Sequence, residues 1–284
     1  MSPTLPDLPT ASGYMAIHGR KMHYLDDGQG KVILFVHGIP EWSMLYAPIL
    51  SQLSSGYRCI VPDHLGFGFS DRDDKLPLTP LAHAQRLVCL IKELDLSDIH
   101  LVVHDLGGSI GLRAAVEVPE RVSSVTLTNT FCWDLRGTSA ARGLSLMDGR
   151  IGRWLYLDKG FSVKVMAANA FADRNMYHKY QDTFLQVHQT PADRYANYIL
   201  MMEMLRSGKF YNETLQKFHK LHLPGQIVWG MRDKFFSAKE YLTRWQKEMP
   251  GYKVKELRTS GHFPQLEATV EYAKAIADFI VTRQ

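Results

Sequence analysis

The sequence has little of what defines several classes of protein. Its three cysteines, Cys59, Cys89 and Cys132, are odd in number and widely spaced, so they predict neither a disulfide framework nor a zinc site. No apolar run approaches the length that spans a membrane. The absence of such a run leads us to expect no membrane partner. The 33 basic and 29 acidic residues are spread along 284 positions without a basic block, so we expect no nucleic acid partner either.

The beginning of the chain also lacks a targeting pattern. Residues 1–9 contain neither a charged start nor an apolar stretch of signal-peptide length, so we expect a cytoplasmic protein with reduced cysteines. His219 and His222 come without an accompanying carboxylate or thiol, so no metal site is predicted there. The sequence leaves the oligomeric state open.

What the sequence does contain is an alternation of short apolar strands with helical stretches. Residues 14–18 and 21–25 alternate around Gly19 and predict a hairpin. Later residues predict buried strands at 32–36, 58–61, 100–103, 124–127, 226–229 and 253–257. Helical segments fall between these strands, which is typical of an α/β fold with a mostly parallel, twisted sheet flanked by helices.

The strand rhythm stops between residues 131 and 221, where the sequence becomes helical and rich in aromatic residues and methionine. We predict one core domain formed by residues 1–130 and 222–284, with a helical cap at 131–221 inserted in it. Some large side chains of this insert are expected to line an adaptable apolar cavity. They are Trp154, Phe161, Phe171, Met201, Met202 and Met204.

Small and reactive side chains follow several strands, at the edge where an open α/β sheet binds its ligands. The strand from Ile99 runs into Asp105, and Leu106 separates this carboxylate from Gly107 and Gly108. This is the pattern of a nucleophile elbow with a carboxylate at its apex. A carboxylate attacks saturated carbon and leaves an alkyl ester, whereas a serine attacks a carbonyl. The other motifs are His37-Gly38-Ile39-Pro40-Glu41-Trp42, Asp63-His64-Leu65-Gly66-Phe67-Gly68-Phe69-Ser70, Gly230-Met231-Arg232-Asp233 and Ser260-Gly261-His262-Phe263.

In this order the motifs resemble the α/β-hydrolase fold, and specifically its aspartate-nucleophile branch of haloalkane dehalogenases and epoxide hydrolases. The resemblance implies that Asp105 is the nucleophile, His262 the general base and Asp233 the carboxylate that orients the base. It also implies that the amides of Ile39 and Leu106 form the oxyanion hole. An ester on the nucleophile would then be hydrolysed by water that the base activates, without a metal or an organic cofactor.

Two neighbouring positions offer alternatives to these assignments. In one dehalogenase subgroup the orienting acid follows the strand that here ends near Asn129, and asparagine cannot supply that charge, so Asp233 is preferred. Residues 107–111 spell the Gly-x-Ser-x-Gly pattern of serine esterases. With Ser109 at the apex, Asp105 would be buried inside the strand without a partner. A serine esterase and a relative that binds a ligand without turnover remain alternatives.

The leaving group is less well determined by the sequence. Leu106 and Ile39 stand where many haloalkane dehalogenases have a tryptophan and an asparagine that hold the halide, and neither side chain donates a hydrogen bond. We therefore favour a small apolar epoxide as substrate, with haloalkanes and β-lactones as alternatives. An epoxide needs a phenol to protonate its alkoxide. The cap offers Tyr156, Tyr177, Tyr180, Tyr195, Tyr198 and Tyr211. The predicted substrate pocket contains Glu41, Trp42, Trp133 and Trp154.

Overall fold

In the computed structural model, which describes residues 12–73 and 75–282, eight strands form one sheet. They are β1 Ser12–Ile17, β2 Arg20–Asp27, β3 Lys31–Val36, β4 Tyr57–Pro62, β5 Ile99–Asp105, β6 Val122–Thr130, β7 Gly225–Gly230 and β8 Lys253–Leu257. Their order is β1-β2-β4-β3-β5-β6-β7-β8. The first two strands pair antiparallel, as does β2 with β4, and all other pairs are parallel. The predicted hairpin and mostly parallel sheet are confirmed. The opening residues, on which the expectation about targeting rests, lie outside the described part.

The sheet separates two apolar layers. Leu34 and Val36 of β3 belong to one buried cluster, whereas Ile33 and Phe35 of the same strand belong to the other. This alternation follows from the two-residue period of a strand, and strands buried on both faces read as continuous apolar runs. The helices α1 Ala47–Leu53, α2 Pro80–Glu93, α3 Leu106–Glu117 and α12 Thr269–Val281 flank the sheet. Thr79 caps α2 by accepting a hydrogen bond from the Ala82 amide, 3.2 Å away.

Between β6 and β7 the described chain is helical. It contains α4 Ser139–Ser145, α5 Arg150–Leu157, α6 Ala167–Ala170, α7 Arg174–Gln186, α8 Tyr195–Arg206 and α9 Gly208–His219. The short helices α10 Thr243–Glu248 and α11 Pro264–Glu267 follow β7 and β8. Among the described residues no helix combines the length and apolar character that a membrane crossing requires. The three cysteines form no disulfide. The division into a core domain and a cap stays a prediction.

The parallel strands bring the sequence motifs to one edge of the sheet. Strands β3, β5, β7 and β8 all end there, so the segments that follow them meet above the sheet. Asp105 is the last residue of β5, and the loops after β3, β7 and β8 surround it. The fold thereby collects residues that lie far apart in the chain.

Candidate active site

Asp105 occupies a sharp turn between β5 and α3. Its backbone has φ 51° and ψ −134°, a conformation that costs free energy for a residue with a side chain. Such strain persists where the surroundings hold it, and close glycines provide the room. A Cβ atom at Gly107 would lie 2.4 Å from the His37 carbonyl oxygen, and one at Gly38 would lie 2.1 Å from Asp105 Oδ1. The local geometry is that of the predicted nucleophile elbow.

The close approach at Gly107 predicts a large loss of stability on substitution. Gly107→Ala places a methyl group against the backbone of β3, which cannot move away without disturbing the sheet. We expect the free energy of unfolding to fall by about 1–3 kcal/mol or more in urea titrations. The matched control is Gly143→Ala in α4, where the added methyl group meets no atom within 4 Å. That variant is expected to gain about 0.5–1 kcal/mol. Equal stability of the two variants would contradict the tight elbow.

Three predicted residues meet at this edge. Nε2 of His262 lies 3.4 Å from Oδ2 of Asp105, and its Nδ1 lies 2.8 Å from Oδ2 of Asp233. All three side chains are buried. The rings of Phe235 and Phe236 lie edge-on to the imidazole, with centroids 5.8 and 5.4 Å away. The arrangement has the geometry of a nucleophile, a base and an orienting acid, although the roles of these residues stay predictions.

The electrostatics of this group favour charged forms. Burial by itself lowers the pKa of His262, but the carboxylates of Asp233 and Asp105 on either side raise it well above its ordinary value. Burial by itself raises the pKa of Asp105, and the hydrogen bond and charge of His262 bring it below its ordinary value. The same holds for the pKa of Asp233, which also receives hydrogen bonds. These contacts favour the protonated imidazole of His262 and the ionised carboxyl groups of Asp105 and Asp233.

This charge state makes stability depend on pH. The unfolded chain loses the His262 proton near pH 6.5, whereas the folded protein keeps it to higher pH. Above pH 6.5 the folded state therefore binds more protons, and the free energy of unfolding falls by up to about 1.4 kcal/mol per pH unit. Urea titrations from pH 6.5 to 8.5 should show this loss in the unmodified protein and not in His262→Gln. The exposed control His178→Gln should behave like the unmodified protein; identical slopes for all three proteins would contradict the raised pKa.

The lowered pKa values of the two carboxyl groups act at the other end of the pH scale. The ionised carboxylates of Asp105 and Asp233 contribute their full stabilisation at pH values above their ordinary pKa of 3.8. This stabilisation is lost as the pH falls through the lower pKa values that the two groups have in the folded protein. The full set of charges therefore stabilises the fold between about pH 4 and pH 6.5.

Asn129 is a residue whose role the sequence did not predict. Its Nδ2 donates to Oδ2 of Asp233 at 2.8 Å, and its Oδ1 accepts from the Gly230 amide at 2.8 Å. The other carboxylate oxygen of Asp233 accepts from the amides of Phe235 and Phe236. Asn129 therefore fixes the acid that faces His262 instead of replacing it. The available signal was a polar residue at the end of a buried strand.

The predicted oxyanion amides both face the Asp105 carboxylate. The Ile39 amide donates to Oδ1 at 2.9 Å, and a backbone hydrogen bond from Leu106 is one of the factors that lower the pKa of Asp105. The His37 ring fixes the peptide that carries the Ile39 amide. Its Nε2 accepts from the His64 amide at 3.0 Å, so its Nδ1 carries the proton and donates to the Gly38 carbonyl at 2.8 Å. This bond orients the peptide toward Asp105.

Glu41 lies behind this loop and belongs to a buried hydrogen-bond chain. Its Oε2 accepts from the Gly38 amide at 2.9 Å and lies 2.9 Å from Nδ1 of His104, whose Nε2 lies 2.7 Å from the His262 carbonyl. Both ring nitrogens of His104 therefore lie within hydrogen-bond distance of an oxygen atom. The chain ties the loop after β3 to the backbone of His262. Glu41, predicted as a pocket residue, is not among the described residues that line the cavity.

One group of potential metal ligands occurs among the described residues. Glu41, His104 and His262 offer ligand atoms within 4.8 Å of one another. The two ring nitrogens of His104 are already engaged by Glu41 and by a carbonyl, and Nδ1 of His262 is engaged by Asp233. Hydrogen bonding therefore accounts for this group.

The cavity above Asp105 has a volume of about 440 Å³. Asp105, His262 and Ile39 lie on its wall, which is otherwise largely apolar. The insert contributes several lining residues, namely Leu144, Leu146, Met147, Phe161, Val165, Met166, Met201 and Met204. Three side chains predicted to line it, those of Trp154, Phe171 and Met202, do not, because each packs elsewhere or faces outward.

The three tryptophans predicted in the pocket also lie elsewhere. Trp42 is buried and packs edge-on against Phe69, with ring centroids 4.8 Å apart. Trp133 is buried beside α10, where the Arg244 guanidinium lies 4.4 Å from its ring. Trp154 is half exposed on α5. None of the three lines the cavity, because sequence position alone does not tell which face of an element a side chain occupies.

The residues whose hydroxyl groups the sequence offered for catalysis do not line the cavity. Ser109 is buried in α3 and donates to the Phe131 carbonyl at 2.7 Å, so it is not at the apex. No tyrosine is among the described residues that line the cavity. The Tyr156 phenol bonds Asn197, and the phenols of Tyr177, Tyr198 and Tyr211 donate to backbone carbonyls. Tyr180 and Tyr195 are also absent from the wall.

The fold and site define an α/β hydrolase with a buried carboxylate, Asp105, at the sharp turn after β5. The family model described as alpha/beta hydrolase fold matches residues 31–269. The cis-3-alkyl-4-alkyloxetan-2-one decarboxylase of Shewanella oneidensis is 31% identical, over 96% of this chain and 89% of its own length. Haloalkane dehalogenase 2 of Mycobacterium tuberculosis is 28% identical, over 91% of each chain. The chain belongs to the α/β-hydrolase family, in the branch that includes haloalkane dehalogenases.

A solved structure shows the same fold. The haloalkane dehalogenase DatA of Agrobacterium tumefaciens matches with a TM-score of 0.85 at 17% identity, covering 96% of this chain and 97% of that one. Both the predicted family and the predicted fold are confirmed.

Proposed function

We propose that the protein opens the ring of a cis-3,4-dialkyl β-lactone with Asp105 and releases carbon dioxide and an alkene. The observation that supports this proposal is a buried carboxylate at the base of an apolar cavity whose described wall contains no tyrosine or tryptophan. An epoxide leaves as an alkoxide, which needs a proton donor because an alkoxide is a far stronger base than a carboxylate. A lactone leaves as a carboxylate, with a conjugate acid of pKa about 4, and needs none.

The reaction balances without water or a cofactor. An oxygen of Asp105 attacks the ring carbon bonded to the ring oxygen, and that carbon–oxygen bond breaks with its electron pair going to the oxygen. The product is an alkyl ester on Asp105 with a carboxylate on the neighbouring carbon. Loss of carbon dioxide then supplies the electron pair of the double bond while the ester bond breaks and restores Asp105. Of the two carboxylate oxygens, Oδ1 accepts a hydrogen bond from the Ile39 amide at 2.9 Å, whereas Oδ2 lies 3.4 Å from Nε2 of His262, so we take Oδ2 as the attacking atom.

We infer that the two carboxylates around His262 decide whether an ester on Asp105 would undergo elimination or hydrolysis. Ester formation removes the charge of Asp105, so His262 loses one of the two anions that raise its pKa. When the leaving group departs as free halide, the imidazole becomes able to accept a proton from water. When the leaving group is a carboxylate that stays attached, a second anion remains beside the ring and keeps it protonated. Water is then not activated, and carbon dioxide is lost instead.

The relative from Shewanella oneidensis, named for an oxetanone decarboxylase activity, supports this substrate class. Haloalkane dehalogenation is the second candidate. It is favoured by the buried contact of His262 with Asp233, because a base and its orienting acid are what ester hydrolysis requires. The epoxide favoured by the sequence stays a prediction, for which the cavity wall offers no phenol.

A substrate panel tests the proposal. The purified protein is incubated with a cis-3,4-dialkyl oxetan-2-one, a terminal bromoalkane and an alkyl epoxide of matched length, and products are identified by gas chromatography and mass spectrometry. We expect alkene from the lactone at a rate at least tenfold above that of bromide or diol release. Asp105→Asn serves as the inactive control. Diol or bromide as the faster product, or no alkene, would overturn the lactone assignment.

A further inference from the structure

Large apolar side chains are exposed on the helical insert. Leu146 and Ile151 are each 75% exposed, Trp154 is 48% exposed and Val165 is 40% exposed. Ile151, Trp154 and the half-buried Leu155 are spaced by three and four residues on α5, so they share one side of that helix. We call Leu146, Ile151, Trp154 and Val165 the entrance face. A cluster of exposed apolar groups of this kind marks a surface that contacts something other than water.

The entrance face is continuous with the cavity above Asp105. Leu146 and Val165 are exposed and also line that cavity, so they lie at its opening. Helix α5 lies between Leu146 and Val165 in the chain. It packs closely against Met147, another residue that lines the cavity, since a Cβ atom at Gly152 would lie 2.5 Å from Cα of Met147. A partner that covers Leu146 and Val165 therefore also covers the way into the cavity, and the exposed side of α5 extends this surface beyond the opening.

The charges around the entrance face are mostly positive. Exposed basic side chains are spread through the same segment, namely Arg142, Arg150, Arg153, Lys159 and Lys164. Lys159 lies over the Trp154 ring, with Nζ 4.9 Å from its centroid. The segment from 139 to 166 contains two acidic residues, Asp148 and Asp158, and Asp148 is paired with Arg206 at 2.8 Å. A net positive, apolar surface is complementary to an anionic bilayer, where aromatic and aliphatic side chains enter the interface and basic ones contact the headgroups.

We propose that the entrance face docks on an anionic phospholipid bilayer, from which an apolar substrate passes directly into the cavity. The bilayer is favoured over a second copy of the chain because a copy would bring the same positive charges into contact. This proposal replaces the expectation that the protein has no membrane partner. That expectation rested on the absence of long apolar runs, but the length of an apolar run determines whether a segment can span a bilayer and not whether a protein surface can bind to one. The passage of an apolar substrate from the bilayer into the cavity rests on the proposed function, whereas docking of the entrance face on the bilayer does not.

Vesicle sedimentation tests the docking. The full chain is mixed with vesicles of pure phosphatidylcholine or with vesicles that contain about one third phosphatidylglycerol. We expect at least tenfold stronger binding to the anionic vesicles in low salt, weakened by 0.5 M salt. Ile151→Ser combined with Trp154→Ser should reduce binding at least tenfold, and Arg150→Glu combined with Lys164→Glu should remove the preference for anionic lipid. Val270→Ser, at a valine 66% exposed on α12, is the matched control and should bind like the unmodified protein.

The outcomes separate docking from catalysis. Turnover of a short, water-soluble substrate should be unchanged in both double variants, because none of the four positions lines the cavity. Failure of the unmodified protein to sediment with anionic vesicles, or equal binding by all variants, would overturn the proposal. So would a dimer of the unmodified protein, seen without vesicles, that the Ile151 and Trp154 substitutions dissociate. A protein that docks but is inactive on every compound of the panel would overturn the proposed function and leave docking standing.

Discussion

Asp105→Asn is expected to lower kcat by about 10⁴-fold or more on any substrate that the protein turns over. The amide has the size of the carboxylate but not its negative charge, so it does not displace a leaving group from carbon. The neutral side chain also removes one of the anions that face His262. The measurement is the initial rate of product release, with the circular dichroism spectrum showing that the variant is folded.

The control for this variant is Ser109→Ala. The Ser109 hydroxyl is buried in α3 and bonded to the Phe131 carbonyl, so its removal is expected to cost some stability and to leave kcat within a few-fold. The reverse result, with Asp105→Asn active and Ser109→Ala inactive, would restore the serine-esterase alternative and exclude the proposed mechanism.

His262→Ala is expected to affect the two candidate reactions in opposite ways. Hydrolysis of the alkyl ester needs a base, so a bromoalkane should leave its alkyl group on Asp105 and turnover should fall by about 10³-fold or more. Decarboxylation needs no base, so a β-lactone should still give alkene, with a loss of about 10–100-fold from the missing positive charge beside the carboxylates. Intact-protein mass spectrometry detects the retained alkyl group, and gas chromatography detects the alkene.

The control for this experiment is His178→Ala, which removes an exposed histidine and should leave both reactions unchanged. Loss of alkene formation to the same extent as bromide release would show that the base is needed in both reactions, which contradicts the decarboxylation route. Absence of any retained group with the bromoalkane would contradict ester formation on Asp105 from that substrate.

Much of the architecture was predictable because each element has a strong local pattern. The strands predicted at 32–36, 58–61 and 100–103 lie within β3, β4 and β5, since short apolar runs with turn residues at both ends have few other stable forms. The elbow was predictable for a similar reason, as Asp105 is followed by two glycines, one of which packs against the backbone of β3. The family comparison confirms the fold that these patterns indicate.

The pocket was not predictable in the same way. Trp42 and Trp133 are apolar residues beside functional motifs, and sequence position places them near the site, yet both are buried in other parts of the core. Glu41 was predicted as a pocket acid, and it is instead the partner of His104. Whether a side chain faces a cavity depends on the direction of its Cα–Cβ bond and on the packing of neighbouring elements.

By itself the amino-acid sequence determined the order of the elements, the mostly parallel sheet and the identity of the carboxylate at the elbow, because these depend on local periodicity and on where small residues permit a sharp turn. Only the tertiary structure decided the distances that join Asp105, His262 and Asp233, the place of Asn129 beside Asp233, and the lining of the cavity. These features arise from contacts between residues far apart in the chain, whose geometry depends on how the sheet and the helical insert pack together.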